Sequence, residues 1–427
     1  MKLKVKNVGR IKNADIDIDG ITVICGDNNT GKSTVGKLLY CLYSSLYNLS
    51  SRIRQERLNS IIGSASRYSQ QSFYRLQEIE NENSIFNELI DNPEPSEESI
   101  QKALSDFFIL SNSSKEDFIN TPINVLVERI QSYLAVSDKE IVTAFLQRNI
   151  LAEFGGKLAN VNTSAQKADV SLELKGNTIS FHTSGKSQKL TLDQYINLEK
   201  RLIYIDDPFI LDEVSRRPLY RRSAIVHHRD SLINLIQRTA RNEQGNVIEE
   251  IIRDARLRVV MDKMREISDG SLVFEDGEFK YRYNGLKENL SLVSLSTGIK
   301  TFAILKALLA KGFLEENGII VMDEPEVHLH PEWQIRLAEI TVLLQKAYGL
   351  NIVITTHSID FFTAIDYFSN KYEIREKCHF YLTEKEKSPV NGTLSKVVIK
   401  NATKDMEKIY ASISEPYLKI YSQMEGD

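Results

Sequence analysis

The sequence predicts an α/β fold in which a mostly parallel sheet is joined by an antiparallel β-subdomain and interrupted by a helical insertion. Two observations predict the parallel part. A buried apolar strand at residues 21–25 runs through a glycine-rich turn into a helix, and residues 298–355 alternate between helix and strand patterns. A third observation predicts the insertion. Residues 50–151, which lie between the first strand–turn–helix unit and the later α/β region, have helical periodicity. At 427 residues the chain is long enough for such a core and insertion.

The same patterns divide the chain into six segments. In order, they are an amino-terminal core part with three strands and a helix (1–49), a helical insertion (50–151), a β-subdomain with a core strand (152–208), a helical arginine-rich lobe (209–268), the carboxyl-terminal core part (269–378), and a last strand and helix (379–427).

Composition excludes several classes of protein. A net charge of −4 and a pI near 6.1 do not fit a polycation that coats nucleic acid. No uninterrupted apolar run approaches the roughly 20 residues that cross a bilayer, and the first residues lack the apolar segment of a signal peptide. The three cysteines have neither metal-site nor disulfide spacing. We therefore expect a cytoplasmic protein without a membrane partner.

Residues 26–33, Gly-Asp-Asn-Asn-Thr-Gly-Lys-Ser, fit the phosphate-binding pattern G-x-x-x-x-G-K-[ST]. In that pattern, backbone N–H groups and the positive end of the helix cradle phosphates. We expect Lys32 to neutralise the β- and γ-phosphates and the Ser33 hydroxyl to bind Mg²⁺. The predicted nucleotide-binding residues of this loop are Gly26, Asn28, Asn29, Thr30, Gly31, Lys32, Ser33 and Thr34. The alternative is a glycine-rich turn without a ligand, but the position between a strand and a helix argues against it.

Two adjacent acids, Asp323 and Glu324, end the apolar run of residues 319–322. A strand buried on both faces would bring Asp323 to the floor of the site, where its carboxylate holds Mg²⁺ through water. Glu324 would then polarise the attacking water. On their own these acids are equally typical of a strand that ends in a turn, but together with the phosphate loop they favour the catalytic interpretation.

Leu295-Ser296-Thr297-Gly298-Ile299-Lys300 precedes a predicted helix, and in isolation it is typical of a helix cap. The segment resembles the L-S-[GS]-G-x-[KQ] signature of ABC-type ATPases, although Thr297 stands where that family usually has Gly or Ser. The resemblance implies an ABC-type P-loop NTPase core with ATP and Mg²⁺ as cofactors. It also implies that Ser296 and Gly298 contact the γ-phosphate held by a second copy, and hence a homodimer or a higher even-numbered homo-oligomer.

Three further positions have counterparts in the same family. His357 resembles its switch histidine, which senses the γ-phosphate and completes the predicted catalytic set of Lys32, Glu324 and His357. Asp206-Asp207 matches the position of a family glutamine, and a role at the Mg²⁺ or water and a plain strand-ending turn both stay open. The run from His328 to Pro331 resembles one in SMC-like and OLD-like ATPases, so we favour a structural and dimer-facing role over a metal site.

Residues 216–258 contain ten arginines, no lysine and five acids. Arginine suits phosphate and carboxylate partners, so nucleic acid or an acidic protein surface stays open beside the commoner explanation, solvated helix faces. His228-Arg229-Asp230 resembles a kinase catalytic loop, but no D-F-G follows, and we interpret it as part of this helical region.

The order of the motifs resembles that of SMC-like and OLD-like ATPases, but only about 57 residues follow Asn370, too few for the Toprim nuclease of OLD proteins. Residues 204–208 and 409–417 are similar to the PtuA-like ATPases of Septu and retron defence systems. This resemblance implies a regulatory or sensor ATPase that controls a separate HNH nuclease, sometimes beside a reverse transcriptase with its nucleic acid. Two alternatives stay open: a DNA-repair or chromosome-maintenance ATPase that binds nucleic acid, and a nucleotide-gated scaffold with negligible turnover.

Overall fold

The structure is a computed structural model that describes residues 1–68, 72–92, 94–111, 122–159, 167–184, 189–214, 227–238, 247–386 and 395–424. Side chains are described for all of these except 82, 247–256 and 416–424. The chain divides into two compact units. The core unit comprises Met1–Ser44, Leu146–Ile196 and Lys200–Asp427, and the insertion unit comprises Ser45–Phe145 and Asn197–Glu199.

The strands belong to the core unit. In chain order they are β1 (Lys2–Val8), β2 (Ile11–Asp17), β3 (Ile21–Cys25), β4 (Ala168–Leu174), β5 (Asn177–Ser184), β6 (Lys189–Gln194), β7 (Leu202–Ile205), β8 (Ser271–Glu275), β9 (Glu278–Arg282), β10 (Leu290–Ser291), β11 (Ile319–Asp323), β12 (Asn351–Thr356), β13 (Cys378–Lys385) and β14 (Val397–Asn401).

The helices of the described residues are distributed over both units. They are α1 (Lys32–Leu46), α2 (Leu49–Ala65), α3 (Phe73–Asn83), α4 (Asn87–Asp91), α5 (Glu97–Leu110), α6 (Ile123–Ala135), α7 (Asp138–Phe154), α8 (Ile210–Val214), α9 (His228–Gln237), α10 (Val247–Ile267), α11 (Thr297–Ala310), α12 (Pro331–Tyr348), α13 (Ile359–Lys371) and α14 (Met406–Met424). Helices α1 and α7 contain two of the four boundaries between the units, and the other two flank Asn197–Glu199.

Within the described residues, eleven strands form one sheet in the order β6-β5-β4-β1-β2-β14-β13-β3-β12-β11-β7. The five from β13 to β7 are mutually parallel, and β14 is parallel to β2. The strand pairs from β6 to β2 are antiparallel, as is a separate sheet with the order β10-β9-β8. The predicted α/β fold, with parallel and antiparallel strands, is confirmed.

The parallel strands are apolar because they are covered on both faces. All residues of β3 and β11 are buried, as are all but the first of β12. Helices α9, α11, α12 and α13 contribute to the same hydrophobic core, through Leu232, Phe302, Leu337 and Phe361 respectively. Since parallel strands end at one edge of a sheet, the segments after β3, β7, β11 and β12 meet there.

The insertion unit has a helical core of its own. Buried residues from α2 to α6 form one hydrophobic cluster that includes Ile61, Phe86, Leu104, Phe107 and Ile130. The rings of Phe86 and Phe107 lie 4.9 Å apart between centroids. The helical pattern of the described insertion residues thus reflects an apolar core built within the unit.

Several details differ from the predicted elements. The helix expected at about 298–314 ends at Ala310, and two strands, β13 and β14, precede the last helix where one was expected. Much of the arginine-rich stretch lies outside the described residues, which omit 215–226 and 239–246. None of the helices in the described part of the chain is long and apolar enough to cross a membrane.

Candidate active site

The glycine-rich loop lies between β3 and α1, at the carboxyl edge of the parallel strands. Gly26 has a φ of 141° and Gly31 a φ of 88°, conformations that favour glycine. A Cβ atom on Gly26 would lie 1.9 Å from Oγ1 of Thr383 on β13, so a larger residue does not fit. Asn29 is also left-handed, and residues 27–29 are exposed. The loop turns sharply and leaves its tip open to solvent.

Lys32 directs its ammonium group back into this loop. Nζ donates hydrogen bonds to the carbonyl oxygens of Gly26 and Asp27, each at 2.9 Å. The Thr30 hydroxyl donates to the same Asp27 oxygen at 2.7 Å. Lys32 is 3% exposed, so its charge depends on these partners. A phosphate entering the loop would compete with the carbonyl oxygens for a buried cation.

The remaining predicted loop residues occupy the tip and the first turn of α1. Asn28 and Asn29 are at the exposed tip, where Arg10 donates a hydrogen bond to the Asn29 carbonyl oxygen at 2.6 Å. Ser33 and Thr34 are half-buried, and the Thr34 N–H donates to the Gly31 carbonyl oxygen at 3.1 Å. The predicted Mg²⁺ ligand Ser33 therefore lies in the first helical turn, next to Lys32.

The two acids after β11 occupy different environments. Asp323 is 8% exposed, and its carboxylate accepts hydrogen bonds from the hydroxyl of Tyr204 at 2.9 Å and from that of Thr355. Glu324 has a left-handed backbone, with a φ of 48°, and its side chain is 30% exposed. Its N–H donates to the Thr355 carbonyl oxygen at 3.0 Å. The Asp323 carboxylate is thus held by a hydroxyl group at each oxygen, whereas the Glu324 carboxylate is accessible to solvent.

Glu324 is the point at which the predicted catalytic residues meet. Its Oε1 atom lies 3.4 Å from Nζ of Lys32 and 3.4 Å from Nδ1 of His357. The His357 N–H donates to Oε1 of Glu326 at 3.3 Å, which ties the loop after β12 to the one after β11. Burial raises the pKa of Glu326, which is 3% exposed. The structure thus brings Lys32, Glu324 and His357 together.

The signature segment lies at the start of α11. Ser296 occupies the N-cap position and is exposed, and its side chain makes no capping hydrogen bond. Gly298 is buried, and a Cβ atom there would lie 2.6 Å from the ring of Trp333. Within the described residues, no hydrogen bond or ion pair joins Ser296 or Gly298 to Lys32, Asp323 or Glu324. One copy of the chain thus provides no polar contact between these signature residues and Lys32 or the two acids.

The two histidines of the run from 328 to 331 have structural contacts. His330 caps α12, where its Nδ1 accepts from the Glu332 N–H at 3.4 Å. The ring of His328 lies edge-on to Phe209, with 5.9 Å between the ring centroids. Neither histidine belongs to a group of three metal-type ligands in the described part of the chain.

Cations hold the two acids that follow β7. Arg229 Nε and Nη2 donate to Oδ2 of Asp206 at 3.1 and 2.9 Å, and Nη2 lies 3.3 Å from Oδ2 of Asp207. Asp207 Oδ1 also accepts from the Phe209 N–H at 2.8 Å, a turn contact. Burial alone would raise the pKa of Asp206, but His228 and Arg229 outweigh it and lower the pKa to about 2. These contacts favour the strand-ending turn.

His228 lies between two carboxylates from separate parts of the chain. Its Nδ1 is 2.8 Å from Oε2 of Glu153, at the end of α7, and its Nε2 is 2.9 Å from Oδ2 of Asp206. The side chains of His228 and Glu153 are 1% and 0% exposed. Burial would lower the pKa of His228, but the two carboxylates outweigh it and raise the pKa. We refer to Glu153, Asp206, His228 and Arg229 as the His228 cluster.

Glu153, His227 and His228 also form the one group of three metal-type ligands found among the described residues. Their contacts are those of an ion-paired network. Glu153 accepts hydrogen bonds from the backbone N–H and the ring of His228, and Nζ of Lys37 lies 3.9 Å from it. The cationic neighbours already neutralise the carboxylate, so the group does not need a metal ion.

Replacing the buried histidine in His228→Gln should lower the free energy of unfolding by about 3–5 kcal/mol, because the buried Glu153 and the half-buried Asp206 lose their shared cation. Folding raises the pKa of His228 above its ordinary value of 6.5. Its charge therefore stabilises fully below about pH 6.5, and this contribution disappears as the pH rises through the folded-state pKa. Folding lowers the pKa values of Glu153 and Asp206, so both stay charged throughout. In urea unfolding, the loss should be larger near pH 6 than near pH 9.

His182→Gln is the matched control for this experiment. His182 Nδ1 pairs with Oδ2 of Asp193 at 3.1 Å, but the two side chains are 29% and 42% exposed. A solvated pair of this kind contributes less than about 1 kcal/mol. Equal losses in the two variants, or a loss in His228→Gln that does not change with pH, would contradict the assignment of a buried imidazolium.

The phosphate loop at the carboxyl edge of a parallel sheet, with two acids and a histidine beside it, defines the class of P-loop nucleotide hydrolases. The chain belongs to the AAA ATPase domain family, whose model matches residues 1–362. The chain therefore contains an ATPase domain of this family, and the predicted class, a P-loop ATPase, is confirmed.

Two curated relatives match parts of the chain. The Retron Ec83 probable ATPase of Escherichia coli is 29% identical over 144 residues, 30% of this chain and 25% of that protein. A putative ABC transporter ATP-binding protein of Geobacter sulfurreducens is 33% identical over 95 residues, 20% of this chain and 33% of that protein. The chain thus spans between a quarter and a third of the length of these relatives.

A solved structure also aligns with most of the chain. It is an Smc head domain with an extended coiled coil, bound to the C-terminal domain of ScpA and derived from Pyrococcus furiosus. The alignment covers 96% of this chain and 98% of that one, at 11% identity and a TM-score of 0.42.

Proposed function

We propose that this ATPase dimerises across ATP and hydrolyses it as the regulatory or sensor subunit of a bacterial antiphage complex with a separate effector nuclease. In this proposal Lys32 neutralises the β- and γ-phosphates, Glu324 polarises the attacking water, and His357 senses the γ-phosphate. The observation that carries the hydrolytic part is the position of Glu324 Oε1, 3.4 Å from both the Lys32 ammonium and the His357 ring. A carboxylate so placed suits a water-positioning group or general base.

The oxygen atoms available at the site suit Mg²⁺. Ser33 would offer a hydroxyl and Asp323 a carboxylate, and hard divalent cations prefer such oxygen ligands. Asp323 is also oriented by the hydroxyl groups that donate to it from Tyr204 and Thr355. When bound, Mg²⁺ would neutralise charge on the phosphates, while the chain itself contributes Lys32 and the loop N–H groups.

The start of α11 supports the proposed dimer. Ser296 is exposed, and its hydroxyl is not used in capping its own helix. The 14-residue α11 has free N–H groups in its first turn, which attract anions. Since no hydrogen bond or ion pair joins Ser296 to Lys32 among the described residues of one copy, we propose that a second copy provides the serine for each nucleotide. The complex would then be a homodimer or a higher even-numbered oligomer.

A mixing experiment tests this arrangement. Lys32→Met should inactivate the loop of its own copy, and Ser296→Arg should block the site of its partner. Each variant alone is expected to be inactive. An equal mixture should recover up to about a quarter of the wild-type ATPase rate, because half of the dimers are mixed and each carries one intact site. A mixture as inactive as its components would contradict the shared site, and activity of Ser296→Arg alone would do so too.

The defence role is supported by the partial match to the retron ATPase and by the likeness of residues 204–208 to PtuA-like ATPases. The proposed partner is an HNH nuclease, which in related systems sometimes works beside a reverse transcriptase with its nucleic acid. Purification of the tagged protein from its native operon should yield such a nuclease. Recovery of DNA alone, with binding that falls at high salt and on neutralising Arg216, Arg217, Arg221 and Arg222, would favour the DNA-repair alternative instead.

A further inference from the structure

The carboxylate of Asp323 is fixed by hydroxyl groups from both neighbouring strands. The register pairs Asp323 on β11 with Thr355 on β12, and Val321 with Tyr204 on β7. The Thr355 hydroxyl donates to Oδ1, and the Tyr204 hydroxyl donates to Oδ2 at 2.9 Å. Each oxygen thus has its own donor, and the plane of the carboxylate is set by two separate strands.

Tyr204 is itself held on several sides. It is 2% exposed. A Cβ atom on Gly36 of α1 would lie 2.8 Å from its Cε2 atom, so the helix approaches the ring closely only because residue 36 is glycine. The imidazole of His228 packs tilted on the same ring, with 4.4 Å between the centroids, and Tyr40 meets the ring edge-on at 6.3 Å. The position of the hydroxyl is therefore fixed by packing.

The His228 cluster anchors this packing. Glu153 and Asp206 hold His228 at its two ring nitrogens. Asp206 directly follows β7, which is the strand that carries Tyr204. The cluster therefore fixes the ring that rests on Tyr204. A continuous series of contacts leads from Glu153 through His228 and Tyr204 to Asp323.

We propose that Tyr204 is a positioning residue for Asp323, and that its hydroxyl orients this carboxylate toward the Mg²⁺ of the bound nucleotide. The inference rests on the Mg²⁺ role assigned to Asp323 under the proposed function. Hydrogen bonds to groups that ligate a metal commonly affect metal affinity without touching the ion.

The test compares the binding of a fluorescent ATP analogue in EDTA and over a titration of Mg²⁺. Tyr204→Phe removes one hydroxyl and keeps the ring. The variant should bind the analogue in EDTA as tightly as the wild type does. The Mg²⁺ concentration at which half of the Mg²⁺-dependent change in analogue binding has occurred should rise about tenfold. Replacing Tyr204 by 4-aminophenylalanine, which restores a donor at the same place, should return it toward the wild-type value.

Tyr281→Phe is the matched control, because Tyr281 is equally buried at 1% exposure and its hydroxyl lies 2.7 Å from Oγ of Ser268. Its Mg²⁺ dependence should not change. Asp323→Asn distinguishes failure of the proposed Mg²⁺ role of Asp323 from failure of the positioning role of Tyr204. If Asp323→Asn leaves the Mg²⁺ dependence unchanged, the metal role in the proposed function fails. If Asp323→Asn raises the Mg²⁺ concentration needed for half of the change and Tyr204→Phe does not, only the inference about Tyr204 fails. Loss of binding by Tyr204→Phe in EDTA as well would also overturn the inference, since the hydroxyl would then serve the fold.

Discussion

Glu324→Gln should bind ATP as tightly as the wild type and hydrolyse it about 100- to 10,000-fold more slowly, the range expected when a general base or water-positioning group is lost. Glutamine keeps the size of the side chain but removes its charge and its ability to accept a proton. The carboxylate lies 3.4 Å from both Lys32 and His357, and it is accessible, unlike that of Asp323. Phosphate release measures the rate, and a fluorescent ATP analogue measures binding.

A second readout follows from the proposed dimer. If hydrolysis separates the two copies, Glu324→Gln should accumulate as a dimer on size-exclusion chromatography with ATP and Mg²⁺, and as a smaller species without ATP. The matched control is Glu278→Gln, an exposed acid on β9, which should hydrolyse ATP at the wild-type rate. Unchanged turnover in Glu324→Gln would remove Glu324 from the chemistry. Tight ATP binding with negligible turnover in the wild type would favour the scaffold hypothesis instead.

The parts of the fold that the sequence predicts well are those specified by neighbouring residues. The apolar run of β3, the glycine-rich loop and the start of α1 are contiguous, and the acids of β11 follow directly on their strand. Parallel strands end at one edge, so these local patterns also predict that Lys32, Glu324 and His357 lie together. The geometry agrees, while the roles given to these residues and to Ser296 and Gly298 remain predictions.

The His228 cluster could not be predicted in this way. Glu153 lies in the last turn of a helix that begins in the insertion unit, and Asp206 follows a strand. His228 starts a helix after residues outside the described part of the chain. Their contacts depend on tertiary packing, which no local pattern encodes. Two residues of the kinase-like triplet, His228 and Arg229, belong to the cluster, but the resemblance to a kinase loop gave no reason to expect their contacts. Tyr204 had one signal, a polar hydroxyl in an otherwise apolar and fully buried strand, because a buried hydroxyl needs a partner.

Lys32→Met should weaken ATP binding by about 10- to 100-fold, which corresponds to the roughly 1.5–3 kcal/mol of a hydrogen bond to a charged group. Methionine keeps much of the buried side-chain volume, so the fold should persist, but the cation at the centre of the loop is lost. The Gly26 and Asp27 carbonyl oxygens would then lose their shared donor, and the phosphates would meet those oxygens without compensation. Titration with a fluorescent ATP analogue measures the effect. The control is Lys280→Met, which removes a lysine paired with Asp276 on a surface hairpin.

Lys32→Met and Glu324→Gln should differ in kind. The first loses affinity and, with it, any ATP-dependent dimer, whereas the second keeps both and loses only turnover. Wild-type affinity in Lys32→Met would mean that the loop does not bind the phosphates through this ammonium group.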